Sequence, residues 1–208
     1  MLPAQVTLVE VGPRDGLQNE PQPVATADKI ELVRLLQHAG LAHIEVTSFV
    51  SPKWVPQMAD AAAVLAGVRA PGVRDARVRH SALVPNLKGL ETALAGPRES
   101  WPDEIVVFTA ASESFCQRNT HCSIDESLER FAPVVARARA EGLGVRGSIS
   151  CALGCPYEGD VPPEAVARVA AGLKALGADH CGVSDTIGVG TARRVQAAME
   201  AALRHFDV

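Results

Sequence analysis

Arg14 and Asp15 stand side by side in the run Gly12-Pro13-Arg14-Asp15-Gly16-Leu17-Gln18-Asn19-Glu20. A guanidinium presents a planar fork of N–H donors that matches a carboxylate or a thioester oxygen. The neighbouring carboxylate suits a hard divalent cation such as Mg²⁺ or Mn²⁺. The same pair can equally be a loop salt bridge between glycine-allowed turns. Glu45 lies inside the apolar run Ile44–Phe49, where a carboxylate is costly unless paired. Arg14 is the expected partner, for structure, for chemistry or for both. Ser48 lies near the end of that run, and Asn86, Asn119, His121 and Asp185 come after other apolar runs, where each can meet a ligand or only shape a turn or cap. The glycines of Gly188-Val189-Gly190-Thr191 precede a helical pattern and can cradle an anion or merely make the turn. They do not form the dinucleotide fingerprint. Cys151 and Cys155 have no second cysteine pair, so packing is expected of them rather than zinc. No two histidines stand in an H-x-H or H-x-x-x-H arrangement, so no His-rich metal site is readable.

These residues need elements to hold them. Short apolar runs at Val6–Val11, Ile44–Phe49, His80–Val84, Glu104–Thr109, Val145–Cys151 and Cys181–Ser184 read as strands. Longer amphipathic segments separate them. Thr26 is the expected cap of a helix to about Ala39, and Pro56–Val68 is a helix with proline at its start. A short helix follows Asn86. Ser123-Ile124-Asp125-Glu126 makes a capping box ahead of a helix to Glu141. Helices are also expected over Pro162–Leu176 and Thr191–Phe206, and Arg98–Asp103 reads as a polar surface loop. Strict alternation of strand and helix predicts a parallel sheet, either doubly wound or closed as a barrel. In both, ligands gather at the C-terminal ends of strands, where Arg14, Asp15 and Asp185 fall. A (β/α)₈ barrel usually takes about 250 residues, so six units in 208 residues look two short.

Composition excludes other classes. The chain is 47% hydrophobic and 21% charged, ordinary for a globular domain, and residues 1–208 suit one domain. A net charge of -4 gives no basic surface for nucleic acid or an anionic membrane. No apolar run is long enough to span a bilayer, and the N-terminal residues lack a signal-peptide pattern. Five cysteines without framework spacing predict reduced thiols in a cytoplasmic protein.

Five segments resemble one family, the hydroxymethylglutaryl-CoA lyases. They are Val11–Glu20, Thr47-Ser-Phe-Val-Ser-Pro-Lys-Trp-Val-Pro-Gln-Met58, Pro85-Asn-Leu-Lys-Gly89, Ser150-Cys-Ala-Leu-Gly-Cys-Pro-Tyr-Glu-Gly159 and Asp185-Thr-Ile-Gly-Val-Gly190. The resemblance implies a TIM-type (β/α)₈ barrel with six of its eight βα units in this chain. It implies a divalent cation, Mg²⁺ or Mn²⁺, and retro-Claisen cleavage of 3-hydroxy-3-methylglutaryl-CoA to acetyl-CoA and acetoacetate. It implies that Arg14 polarises the thioester carbonyl, that Asp15 ligates the metal and that Glu45 orients Arg14. Asp185 would help to deprotonate the tertiary hydroxyl. Gln18, Ser48, Asn119 and Thr186 would contact substrate or CoA. The expected partners are an acyl-CoA and further copies of the chain in a homo-oligomer.

The sequence departs from the family in three ways. Ser184 replaces the family's usual glycine before Asp185, and Gly96–Asp103 is longer than usual. The family's H-x-H metal pair, cysteine loop and later metal-binding Asn lie beyond the matched segments. Cys155-Pro156-Tyr157 looks like that cysteine loop but follows the fifth strand, so no catalysis is assigned to it. As given, the chain is therefore expected to show weak metal affinity, no appreciable lyase activity, and self-association through open strand edges. A truncated non-catalytic paralogue and a Claisen-type synthase remain the alternative readings.

Overall fold

Alternating apolar runs and amphipathic segments fold as parallel βα units in the computed structural model, which describes residues 7–206. The chain divides into two compact units between Ile105 and Val106. Strand β4, Glu104–Ala110, begins in the first unit and ends in the second.

The first unit runs β1 (Val9–Glu10), α1 (Thr26–His38), β2 (His43–Ser48), α2 (Ala61–Val68), β3 (Arg79–Leu83) and α3 (Leu87–Ala93), with strand order β1-β2-β3-β4. Val33, Ile44, Val64, Leu65, Val68 and Leu90 form its core, all but fully buried. Every residue of β2 is buried, as befits a parallel strand covered on both faces. The expected strand start at Val6 lies outside the described residues. Three sequence readings need correction. Ala25, not Thr26, caps α1, and the Thr26 hydroxyl instead donates to Asp60 Oδ2 at 2.7 Å. The helix expected over Pro56–Val68 breaks into a 3₁₀ turn, Pro56–Met58, and α2. The break lets Gln57 face the buried Lys29, whose ammonium donates to the Gln57 carbonyl. Arg98–Asp103 is more than a surface loop: Asp103 ion-pairs with Arg69 and Arg74 and accepts the His80 N–H.

A bulge interrupts the pairing of β2 with β3. Glu45 aligns with Ser81, but Thr47 aligns with Ala82 and Ser48 with Leu83. Ser81 and Leu83 share a face because strand side chains alternate. Glu45 and Ser48, three positions apart, therefore also share a face, while Thr47 turns away and donates towards Met58 Sδ. At the starts of the strands, Glu104 is fully buried, 3.1 Å from His43 Nε2 and 3.4 Å from Arg79 Nη2. His80 is also fully buried, and burial pushes its pKa down to about 4.

The second unit contains the rest of β4, then α4 (Glu113–Thr120), α5 (Ile124–Ala140), β5 (Gly144–Ser150), α6 (Pro163–Leu176), β6 (His180–Val183) and α7 (Ala192–Ala202), with strand order β4-β5-β6. The Ser123–Glu126 capping box forms, with both reciprocal bonds present. Helix α4 is absent from the sequence reading, which leaves Ser112–Cys122 without a helix. It carries no apolar stripe, and Cys116 is its one buried residue. The Ser112 side chain caps it by accepting the Phe115 N–H at 3.1 Å. Strands β5 and β6 pair in parallel from Arg146↔His180 to Ile149↔Val183.

Candidate active site

Within the first unit, the segment after β1 and the end of β2 bring Arg14, Asp15 and Glu45 together. Pro13 and its neighbours form one wide helical turn, in which the N–H groups of Arg14, Asp15 and Gly16 all point at the Val11 carbonyl. Neither Gly12 nor Gly16 adopts a left-handed conformation, so the expected glycine-allowed turns are not what shape this segment. Arg14 Nε donates to Glu45 Oε1 at 2.5 Å, and Arg14 Nη1 to Asp15 Oδ1 at 2.7 Å. Glu45 is 1% exposed and Arg14 16%, so a charge buried in the strand is neutralised by one that reaches the surface. Two edges of the fork are committed. Nη2 has no protein acceptor among the described residues and remains able to donate to an incoming oxygen. Ser48 is fully buried, and its hydroxyl likewise has no partner among the described residues. The bulge puts it on the Glu45 face. Gln18 is half-buried beside this turn.

Within the second unit, Asp185 and Thr186 follow β6. The Asp185 carboxylate accepts the N–H groups of Val189 (3.1 Å) and Gly190 (2.8 Å). Those amides were the ones expected either to cradle an anion or only to turn the chain; they serve the protein's own acid. Thr186 Oγ1 accepts the Cys151 N–H at 2.7 Å and keeps its own proton to donate. Cys151 has φ 53°, a left-handed backbone unusual for a residue with a side chain. Asn119 is exposed on the last turn of α4, and His121 ends that helix in a left-handed conformation. Asn86 resolves as a helix cap, its Oδ1 accepting the Gly89 N–H at 2.9 Å.

Sequence reasoning missed the surroundings of Cys155. Both loop cysteines are buried, as packing requires. Burial opposes ionisation of Cys155, yet the Ser112 hydroxyl at 2.9 Å and the Tyr157 and Glu158 N–H groups together hold its pKa below the ordinary thiol value. Cys151, buried and close to Cys155, is pushed up to about 11. Ser112 alone could have signalled this, but it lies 43 positions from Cys155 and no local spacing links the two.

The HMGL-like family model matches residues 5–207. The chain belongs to that family. A relative from Pseudomonas aeruginosa, 3-hydroxy-3-isohexenylglutaryl-CoA/hydroxymethylglutaryl-CoA lyase, is 58% identical over 96% of this chain. The chain spans 64% of that relative's length. The solved structure of a hydroxymethylglutaryl-CoA lyase from Pseudomonas aeruginosa superposes with a TM-score of 0.90 at 56% identity, covering 98% of this chain and 65% of the other. An HMG-CoA lyase from Acinetobacter baumannii, solved in complex with coenzyme A and 3-methylmalate, gives 0.87 at 29% identity over 97% and 63%. The fold class is that of the (β/α)₈ barrel, with six of the eight βα units in this HMGL-like chain.

Proposed function

We propose that the protein is a carbon–carbon lyase that cleaves 3-hydroxy-3-methylglutaryl-CoA to acetyl-CoA and acetoacetate, with residues 1–208 part of one catalytic domain. The observation that carries this reading is the Arg14 fork, clamped by Glu45 and Asp15 with Nη2 left to donate. Retro-Claisen cleavage places negative charge on a thioester oxygen as the carbon–carbon bond breaks, and a fixed cationic donor at that oxygen lowers the barrier. The family relationship and the relative solved with coenzyme A support a CoA thioester as the substrate.

In this reading the tertiary hydroxyl gives its proton to Asp185 and the alkoxide collapses to the ketone of acetoacetate. The electron pair of the breaking bond then moves into the thioester, as an enolate held by Arg14. Glu45 keeps the guanidinium plane fixed. Ser48, whose buried hydroxyl lacks a partner among the described residues, is proposed to donate to the substrate. Gln18, Asn119 and Thr186 are assigned to substrate or CoA contacts by the resemblance. The proton that quenches the enolate comes from a group not identified among these residues.

Asp15 is the proposed ligand for Mg²⁺ or Mn²⁺, which when bound would draw the hydroxyl pKa down. The fit is incomplete: no three His, Cys, Asp or Glu side chains converge among the described residues, and Asp15 Oδ1 is already engaged by Arg14. No step above is therefore routed through the ion. A cytoplasmic location is proposed from the five unpaired thiols, and a homo-oligomer from the family resemblance. No helix among the described residues is long and apolar enough to cross a membrane. The test is product analysis with the native protein. Acetoacetate release from the thioester supports the lyase; condensation of acetyl-CoA with a 2-oxo acid and no cleavage would replace it with a synthase.

A further inference from the structure

Two buried thiols of the second unit take no part in the chemistry above, and the fold brings them to one atom. Cys116 lies on α4, and Cys122 follows the residue that ends it; both are buried. A continuing helix would set residues six apart on different faces. His121 prevents this. It ends α4 with φ 54°, a left-handed backbone unusual for a residue with a side chain, and the chain turns back. Cys122 thereby returns to the side of Cys116. Thr120 Oγ1 lies 3.3 Å from Cys116 Sγ and 3.2 Å from Cys122 Sγ. That hydroxyl donates its one proton to the Cys116 carbonyl at 2.8 Å, so both thiols face its lone pairs as donors.

The closed turn protects the pair. Burial pushes the Cys116 thiol above its ordinary value; the Thr120 hydroxyl works against that rise, and the Cys122 sulfur adds to it. Thiols in such surroundings are inert until they are uncovered. The start of α4 is well fastened. Ser112 accepts the Phe115 N–H, the Ser114 N–H donates to Glu158, and the Arg118 guanidinium rests 4.4 Å from the centre of the Tyr157 ring. The end is not. Cys116 is the one buried residue of the helix, and Gln117, Arg118, Asn119 and His121 are exposed. Segments with few buried contacts open locally at small free-energy cost. Opening therefore concentrates at the turn that carries both sulfurs.

We infer that Cys116 and Cys122 are a dithiol–disulfide pair, reduced in the resting protein and oxidised by a peroxide to close a loop around Asn119. Cys122, beside the exposed His121, reacts first once the turn opens. Its thiolate attacks one peroxide oxygen, the O–O bond breaks, and the leaving oxygen departs as water after taking a proton. The product is a sulfenic acid on Cys122. The Cys116 sulfur then attacks the Cys122 sulfur, the S–O bond breaks, and a second water leaves with the Cys116 proton. Two thiols lose two electrons, and one peroxide becomes two waters. The Thr120 hydroxyl loses both thiol donors, and the turn bearing Asn119 is fixed in a new geometry. The effect on turnover rests on the assignment of Asn119 to substrate or CoA above; the disulfide itself does not.

The experiment is a non-reducing tryptic map of the native protein after brief exposure to hydrogen peroxide and alkylation of the remaining thiols. Trypsin cuts after Arg118, between the two cysteines, so the new bond would join residues 99–118 to residues 119–130. That linked pair is expected in oxidised wild type. It should vanish with dithiothreitol, and in both Cys116→Ser and Cys122→Ser. Recovery of the two peptides unlinked, alkylated or with Cys122 carried on to a sulfinic acid, would overturn the inference. So would a link from either cysteine to Cys151, Cys155 or a second copy of the chain. The KM for the thioester should rise about fivefold in the linked form, the worth of one hydrogen bond, with kcat little changed. Dithiothreitol should restore it, and Cys116→Ser should keep its KM through the same treatment. A link that leaves KM unmoved overturns the hold on Asn119. Protein that forms the link but releases no acetoacetate even when reduced bears out the pair and counts against the lyase reading.

Discussion

Replacing Arg14 by lysine separates charge from geometry. The wild-type guanidinium spends Nε on Glu45 and Nη1 on Asp15, and leaves Nη2 for the substrate. Lysine has one nitrogen at the end of a shorter reach. Glu45 is 1% exposed, so the ammonium is drawn to it to neutralise a buried charge. It then cannot also stand where Nη2 stood. The charge balance of the fold survives, but the donor to the thioester oxygen is lost. Removing a single oxyanion donor costs about 3 kcal/mol, or roughly 150-fold in kcat. Stability should fall by about 1 kcal/mol or less, since the ion pair with Glu45 persists in altered form. Arg14→Met is the contrast: it strips Glu45 of its Arg14 partner and should destabilise by about 3 kcal/mol. The assay is steady-state acetoacetate release by the native protein, paired with urea unfolding of each variant. Arg14→Lys with kcat within a few-fold of wild type would refute the enolate role. A loss of kcat that tracks the loss of folded protein would show Arg14 to be structural only.

Three further perturbations test the surrounding structure. His80 titrates near 6.5 when unfolded and at about 4 when folded. The folded state therefore disfavours its protonation, and stability should be full above pH 6.5 and fall by about 3 kcal/mol as pH drops towards 4. His80→Gln should lack that component in urea unfolding across the window; an identical pH profile would show His80 is not the cause. Asn86→Ala removes the cap of α3 and should cost about 1 kcal/mol, while Asn86→Asp retains an acceptor and most of the stability. A Cβ at Gly190 would lie 2.7 Å from both Asp185 Oδ2 and Leu153 Cδ1. Gly190→Ala should thus displace the Asp185 carboxylate and lower kcat about tenfold, the low end for disturbing a proton-transferring group; unaltered kcat in the folded variant would count against Asp185 as the base.

Much of this was legible because the signals were local. Period-two and period-3.6 patterns located the strands and most helices, and Ser123 with Glu126 announced a real capping box. The Arg14–Glu45 pair was readable because a carboxylate in an apolar strand demands a cation. What escaped depended on partners distant in sequence. Thr26 looks like a cap, but Asp60, far along the chain, claims its hydroxyl. Helix α4 buries one residue, so no periodicity betrays it. The polarity around Cys155 comes from Ser112 and from backbone N–H groups, which no motif encodes. Asp185 was legible as an acid at a strand end, but not as the acceptor that consumes its own loop's amides.

The bulge in β2 bears on how the gene can vary in length. A residue gained or lost in an exposed turn is absorbed by slack chain. Between Glu45 and Ser48 the strand is buried throughout, and its one extra residue is the bulge, so a further residue has nowhere to go. A single-codon deletion there would remove the bulge, restore regular pairing with β3 and leave Ser48 two positions from Glu45, still on its face. A single-codon insertion would have to form a second bulge or push a polar side chain into the layer beneath the helices. This strand should therefore accept the loss of one residue far better than the gain of one, an asymmetry that a library of one-residue insertions and deletions, scored for folding, would show at positions 45–48.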